Sequence, residues 1–122
     1  MSTARNYREL VIYQESLDLA REVYLLTKSF PKDETYGMRD QVRRAVASIG
    51  ANIAEGFGRF HYKDKLLFFY NSRGSLFETM HFLELASQVG YINKLEKDGL
   101  LLRLEKLSVR LNNFIKAIGD GN

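Results

Sequence analysis

The sequence predicts an all-α fold, an up-down-up-down four-helix bundle, and three observations carry that reading. Apolar residues recur at three- and four-residue steps, as on a helix face, and do not alternate as in strands. This pattern fills four long stretches of the 122 residues. The stretches are separated by brief joints marked by the single proline, Pro31, and by Gly56, Gly58 and Gly90. Long helices joined by short links fold most simply with antiparallel neighbours.

The first helix is expected over roughly Tyr7 to Ser29, where Leu10, Tyr13, Leu17, Ala20 and Tyr24 form one stripe. Ile12, Leu19, Val23, Leu26 and Phe30 form a second stripe beside it. Pro31 ends the helix because it lacks an N–H and restricts the residue before it. The second helix is expected over roughly Tyr36 to Glu55, with Met38, Val42, Ala45, Val46, Ile49 and Ile53 on its apolar face. Gly56-Phe57-Gly58 reads as its stop, since glycine suits a left-handed C-cap. The third helix spans roughly Tyr62 to Val89 and ends at Gly90. The fourth spans roughly Lys94 to Ile118, with Leu100, Leu104, Leu107, Leu111, Phe114 and Ile118 as its seam. Asn93 and Glu96 have the spacing of a capping box. The whole chain, 1–122, reads as one domain, with residues 1–6 and 119–122 expected to fray.

Composition narrows the chemistry. With no cysteine, disulfides and thiolate metal sites are excluded. Residues 1–6 lack the apolar core of a secretory signal, and no apolar run approaches the roughly 20 residues of a membrane span. A soluble, cytoplasmic protein is expected. Net charge is +3, and the positive excess is concentrated in residues 36–73, where seven Lys and Arg stand against three Asp and Glu. No nucleophile elbow, phosphate-binding loop or zinc pattern occurs, so no enzyme and no cofactor are expected. Glu78-Thr79-Met80-His81 supplies one Glu-x-x-His step, but a di-metal bundle needs two. A metal or small-ligand site built from Glu55, Glu78 and His81 therefore ranks last, and no metal is expected.

Two features point towards partners. The third helix is apolar over too much of its girth: Phe69, Leu76, Met80 and Leu83 on one side, Leu67, Phe82, Leu85 and Val89 on another. Such a helix is central in a bundle or covered by another subunit, which predicts a homo-oligomer. On the second helix Ser48, Asn52 and Glu55 flank the apolar stripe, and Ser72, Ser75 and Glu78 supply the matching set on the third. A polar network of Ser48, Asn52, Glu55, Ser75 and Glu78 that fixes the register of the two helices is expected.

The run Arg43 to Gly56 resembles the signature of the bacterial 23S rRNA intervening-sequence proteins, a four-helix-bundle family often labelled ribosomal protein S23. Phe30-Pro31, Tyr36-Gly37-Met38, Gln41, Gly74-Ser75-Leu76, Glu78 and Gly90-Tyr91-Ile92 extend the likeness over nearly the whole chain. Two positions depart from the pattern: the family commonly has tryptophan at Tyr13 and a Ser or Thr cap at Tyr62. The resemblance implies a cytoplasmic protein assembling as a homopentameric ring. It also implies kinship with the accessory variability determinants of diversity-generating retroelements, which partner a reverse transcriptase and bind nucleic acid.

The function expected is therefore a non-enzymatic oligomeric module, associated with RNA or DNA or with a protein that handles nucleic acid. Its candidate contacts are Arg39, Arg43, Arg44, Arg59, Lys63 and Lys65 around the second helix and the following turn. Arg103, Lys106 and Arg110 on the fourth helix make a second basic stripe. Phe60, His61 and Tyr62 interleave with the first group and have rings on which bases can stack. The alternative is a ring that binds only protein.

Overall fold

The computed structural model describes residues 4–120, with the side chain of Asp120 excepted. Four helices account for most of them: α1 Val11–Thr27, α2 Met38–Gly58, α3 Tyr62–Gln88 and α4 Lys94–Asp120. Among the described residues there is no strand. Short 3-10 turns at Tyr7–Glu9 and Lys32–Glu34 precede α1 and α2. Cross-helix contacts fix the topology. Arg43 on α2 reaches Tyr24 and Thr27 on α1, and Ser72 on α3 reaches Ile49 on α2. Arg73 on α3 meets Asn112 on α4, and Arg110 on α4 meets Glu15 on α1. In each pair of helices the higher number on one element meets the lower on the other, so all four seams are antiparallel. The bundle is closed, with α2 and α3 most closely joined and α1 and α4 least.

The core follows the helical spacing except on α1, where Leu17 and Tyr24 of the first expected stripe are exposed, 56 and 42 %. Leu19, Val23, Val42, Val46, Ile49, Ile53, Phe69, Leu76, Leu83, Leu104, Leu107 and Leu111 are all withdrawn from solvent. Each such side chain contributes about 1.5–3 kcal/mol through loss of apolar surface to water.

The helix ends differ from expectation in instructive ways. Leu10 caps α1 in extended conformation, so the first turn expected at Tyr7 is 3-10. The stop expected at Gly56-Phe57-Gly58 falls on its last residue, since α2 runs through Gly58, and neither glycine takes the left-handed conformation expected of a cap. Gly56 is buried, and a Cβ there would lie 3.1 Å from the Phe69 ring and 3.2 Å from Cβ of Phe68. Its small size serves the approach of α3, not a change of backbone direction. The end of α2 is made instead by Lys65, whose Nζ donates to the Phe57 carbonyl at 2.9 Å. By contrast Gly90 does end a helix. Its φ of 86° places it in the left-handed region, and Tyr91 N donates to the Ala86 carbonyl at 2.8 Å. The Asn93–Glu96 box closes with reciprocal bonds of 3.0 and 2.7 Å. At the C-terminal end α4 runs through Asp120. At the other end Asn6 caps the first 3-10 turn. The remaining terminal positions expected to fray, 1–3 and 121–122, lie outside the described residues.

One polar contact ties the α1–α2 connection to the α3–α4 connection. Glu34 accepts from the Tyr91 hydroxyl at 2.7 Å and from Met38 N at 3.0 Å, and the Phe30 and Tyr91 rings pack 5.2 Å apart. The Met38 N–H, then the Tyr91 hydroxyl, hold the Glu34 carboxyl below its ordinary 4.5. The carboxylate in turn holds the Tyr91 phenol above its ordinary 10.0. A depressed carboxyl stabilises the fold above its unfolded pKa and loses that contribution as pH falls through the folded value. A raised phenol stabilises below its unfolded pKa and loses it as pH rises through the folded value. The contact is thus at full strength between about pH 5 and 9. Tyr91→Phe is expected to lower the thermal midpoint within that window, with the difference from the parent chain shrinking below about pH 4. A difference constant from pH 3 to 8 would show that only ring packing matters there.

Candidate nucleic-acid interface

The basic residues singled out in the sequence do not form one open surface. Arg39 lies against the end of α1, donating from Nε to the Thr27 carbonyl at 2.9 Å and from Nη2 to the Phe30 carbonyl. Arg43 donates from Nε to Thr27 Oγ1 at 2.8 Å and from Nη2 to the Tyr24 carbonyl at 3.1 Å, its guanidinium over the Tyr24 ring. Both arginines satisfy carbonyls that a helix end leaves without partners. Lys65 does the same for α2, and its partial burial lowers its pKa. These three direct part of their donors to backbone or side-chain oxygens of the fold itself.

Four more are matched by carboxylates. Arg44 pairs with Asp40 at 3.0 Å and Arg59 with Glu55 at 3.1 Å, each one helical turn apart. On α4, Arg103 lies 3.8 Å from Glu22 and Arg110 pairs with Glu15. The second basic stripe is therefore half of a charge seam with α1, and Lys106 borders the groove that Glu15 and Asp18 line. Exposed pairs of this kind contribute little to stability, at most about 1 kcal/mol each. They do cancel much of the field that would draw a polyanion. Of the nine candidates, Lys63 and Lys106 are exposed and carry no hydrogen bond or ion pair.

One place keeps both cation and open aromatic surface. In the turn between α2 and α3, Phe60 is 89 % exposed with His61 edge-on to it at 5.1 Å. Arg59 and Lys63 flank them, with the Arg59 guanidinium also over the Phe68 ring.

The polar network between α2 and α3 is smaller than the residue types suggest. Ser75 donates to Ser48 Oγ at 2.9 Å, and Asn52 Nδ2 donates to the same oxygen at 2.8 Å and to the Ser48 carbonyl at 2.9 Å. Ser72, fully buried, donates to the Ile49 carbonyl at 2.8 Å. Glu55 and Glu78 are both exposed and take no part in it; Glu55 turns to Arg59. This corrects their expected place in the network. Each lies three residues beyond Asn52 or Ser75, about 60° round the helix, enough to reach water. Asn52→Leu is expected to cost about 1 kcal/mol, because the buried side of Ser48 loses a donor. An unchanged urea midpoint would show that solvent replaces the amide without loss.

Among the described residues no group of three or more His, Cys, Asp or Glu could hold a metal ion. Glu55, Glu78 and His81 do not converge. Among the same residues no helix is long and apolar enough to cross a membrane.

The arrangement is that of a closed helical bundle whose polar groups serve its seams and whose outer faces carry unmatched apolar residues. The chain belongs to the family of 23S rRNA-intervening sequence proteins, whose model matches residues 8–113. It is also similar to a crystal structure from Bacteroides thetaiotaomicron of a protein of unknown function from the S23 ribosomal protein family. That likeness has a TM-score of 0.78 at 26 % identity, covering 87 % of this chain and 99 % of the other. No curated protein matches this chain in sequence.

Sequence reasoning missed the acidic side of the α1–α4 seam. The signal was there: Glu15, Asp18 and Glu22 recur at three- and four-residue steps along one face of α1.

Proposed function

We propose that this chain is a non-enzymatic module that works as a homo-oligomer, assembling through the outward face of α3. The observation that supports it is the set of large apolar side chains left on that face. Leu67 and Phe77 are each 54 % exposed, and Tyr70, Leu85 and Val89 stand open beside them. So many large apolar side chains open on one side of a helix are uncommon on a lone monomer. A ring of five is what the family resemblance implies, and a cytoplasmic setting goes with it. Sedimentation of the wild-type chain is expected to give a particle several times 14.1 kDa. The double variant Leu67→Glu, Phe77→Glu is expected to be a folded monomer. A wild type that sediments as a monomer at micromolar concentration would sink the reading.

A second reading concerns what the assembly holds. The open Phe60 beside Arg59, His61 and Lys63 favours single-stranded nucleic acid, with a base on the ring and phosphates on the cations. Repetition around an assembly would add weak contacts together. Binding to a labelled single-stranded oligonucleotide is expected to weaken steeply with salt and to drop in Phe60→Ala, Lys63→Glu. If the oligomer binds no nucleic acid at low salt, a protein-only scaffold is left.

A further inference from the structure

Three apolar side chains on α4 have no place in the bundle core. Leu95, Leu102 and Val109 are 83, 52 and 60 % exposed and stand seven residues apart. At 100° per residue they lie on the side of α4 opposite Leu100, Leu104, Leu107 and Leu111, which are buried. A seven-residue apolar repeat is the seam of a left-handed contact between two helices.

The charges beside the stripe say what fits it. With Leu95, Leu102 and Val109 as d positions of a heptad, Asp98 and Glu105 fall at g, and Arg103 and Arg110 fall at e. Glu96 also falls at e, where it closes the Asn93 capping box, so one edge of the stripe is acidic and the other is basic only over Arg103 and Arg110. In a parallel pair of helices each g position meets the e position five residues further on in its neighbour. Asp98 would then face Arg103 of a second copy, and Glu105 would face Arg110 of that copy. An antiparallel pair centred on Leu102 sets acid against acid on one edge and Arg103 against Arg103 on the other, where only Glu96 meets Arg110. The arginines keep room for a second carboxylate, since their side chains are 44 and 55 % exposed despite their pairing with Glu22 and Glu15. Gly99, Lys106 and Asn113 occupy the a positions, which makes the contact weak but fixes its register.

We propose that α4 docks in parallel, about a two-fold axis, against α4 of a second copy of this chain. The contact goes beyond the α3 assembly proposed above and does not rest on it.

The chain has no cysteine, so introduced thiols report cleanly. Leu95→Cys and Val109→Cys lie about 21 Å apart along the helix. Under mild oxidation each variant is expected to form a disulfide-linked dimer with itself. An equimolar mixture should give no 95–109 product by mass spectrometry. Lys28→Cys, exposed on another element, sets the collisional background. Adding Glu105→Lys to Val109→Cys should cut its yield several-fold. Yields no higher than for Lys28→Cys, or a dominant 95–109 product, would overturn the proposal. Repeating the reaction with Leu67→Glu, Phe77→Glu in place separates the two surfaces. Crosslinks retained there support an α4 contact of its own, and crosslinks lost there refute it.

Discussion

Replacing Arg39 with alanine is expected to lower the thermal midpoint by about 10 °C. This one side chain reaches the Thr27, Phe30 and Pro31 carbonyls and Thr35 Oγ1, all in the last turn of α1 and the link that follows. A hydrogen bond from a charged group contributes about 1.5–3 kcal/mol. Water can replace part of the set at a half-buried site, so the net loss is about 2–3 kcal/mol. A domain of this size shifts by about 4 °C per kcal/mol. Arg39→Lys should recover little, because an ammonium cannot fork between acceptors as a planar guanidinium does. Calorimetry of the two variants checks this; a shift below about 2 °C would show that the carbonyls are solvated equally well without the arginine. The same variants bear on nucleic-acid binding, since any loss of affinity on removing Arg39 should track the loss of folded protein.

The second large effect is expected at Gly56. Valine there is expected to cost about 2–3 kcal/mol, at the upper end of ordinary overpacking. A Cβ at this position already sits 3.1 Å from two atoms of the Phe69 ring. That ring is buried and packs edge-on against Phe114 at 5.0 Å, so it has nowhere to retreat. Gly56→Ala should be close to neutral, because about 1 kcal/mol of helix propensity offsets the tighter contact. Urea denaturation separates the two. Equal midpoints for Ala and Val would mean that α2 and α3 spread apart without penalty.

These two residues also show where reading the sequence succeeds and where it stops. Periodicity places each apolar side chain on a face, and the faces that must be buried define a bundle. That much follows from the chain alone. A helical wheel gives an azimuth but not the atoms waiting across the gap. Arg39 and Arg43 read as outward cations because their acceptors, from Tyr24 to Thr35, belong to another helix and its link. Arg103 and Arg110 read as a basic stripe because their carboxylates lie on α1, far away in sequence. Gly56 read as a stop because glycine suits both a chain reversal and a close crossing, and only Phe68 and Phe69 decide between them. The exposed Phe60 was legible as an aromatic among cations, since a turn has no opposing surface to claim it.

The unequal seams of the bundle have a consequence for how the chain reaches its fold. The Ser72–Ile49 bond joins residues 23 apart, whereas the Arg110–Glu15 pair joins residues 95 apart. Closing the longer loop costs roughly 1 kcal/mol more in chain entropy when nothing else is formed. Each pair of helices adjacent in sequence therefore closes at a smaller entropic cost than the α1–α4 seam, and α2–α3 is the most closely packed of them. Once these pairs exist, α1 and α4 each need only extend an ordered neighbour, and their own meeting comes last.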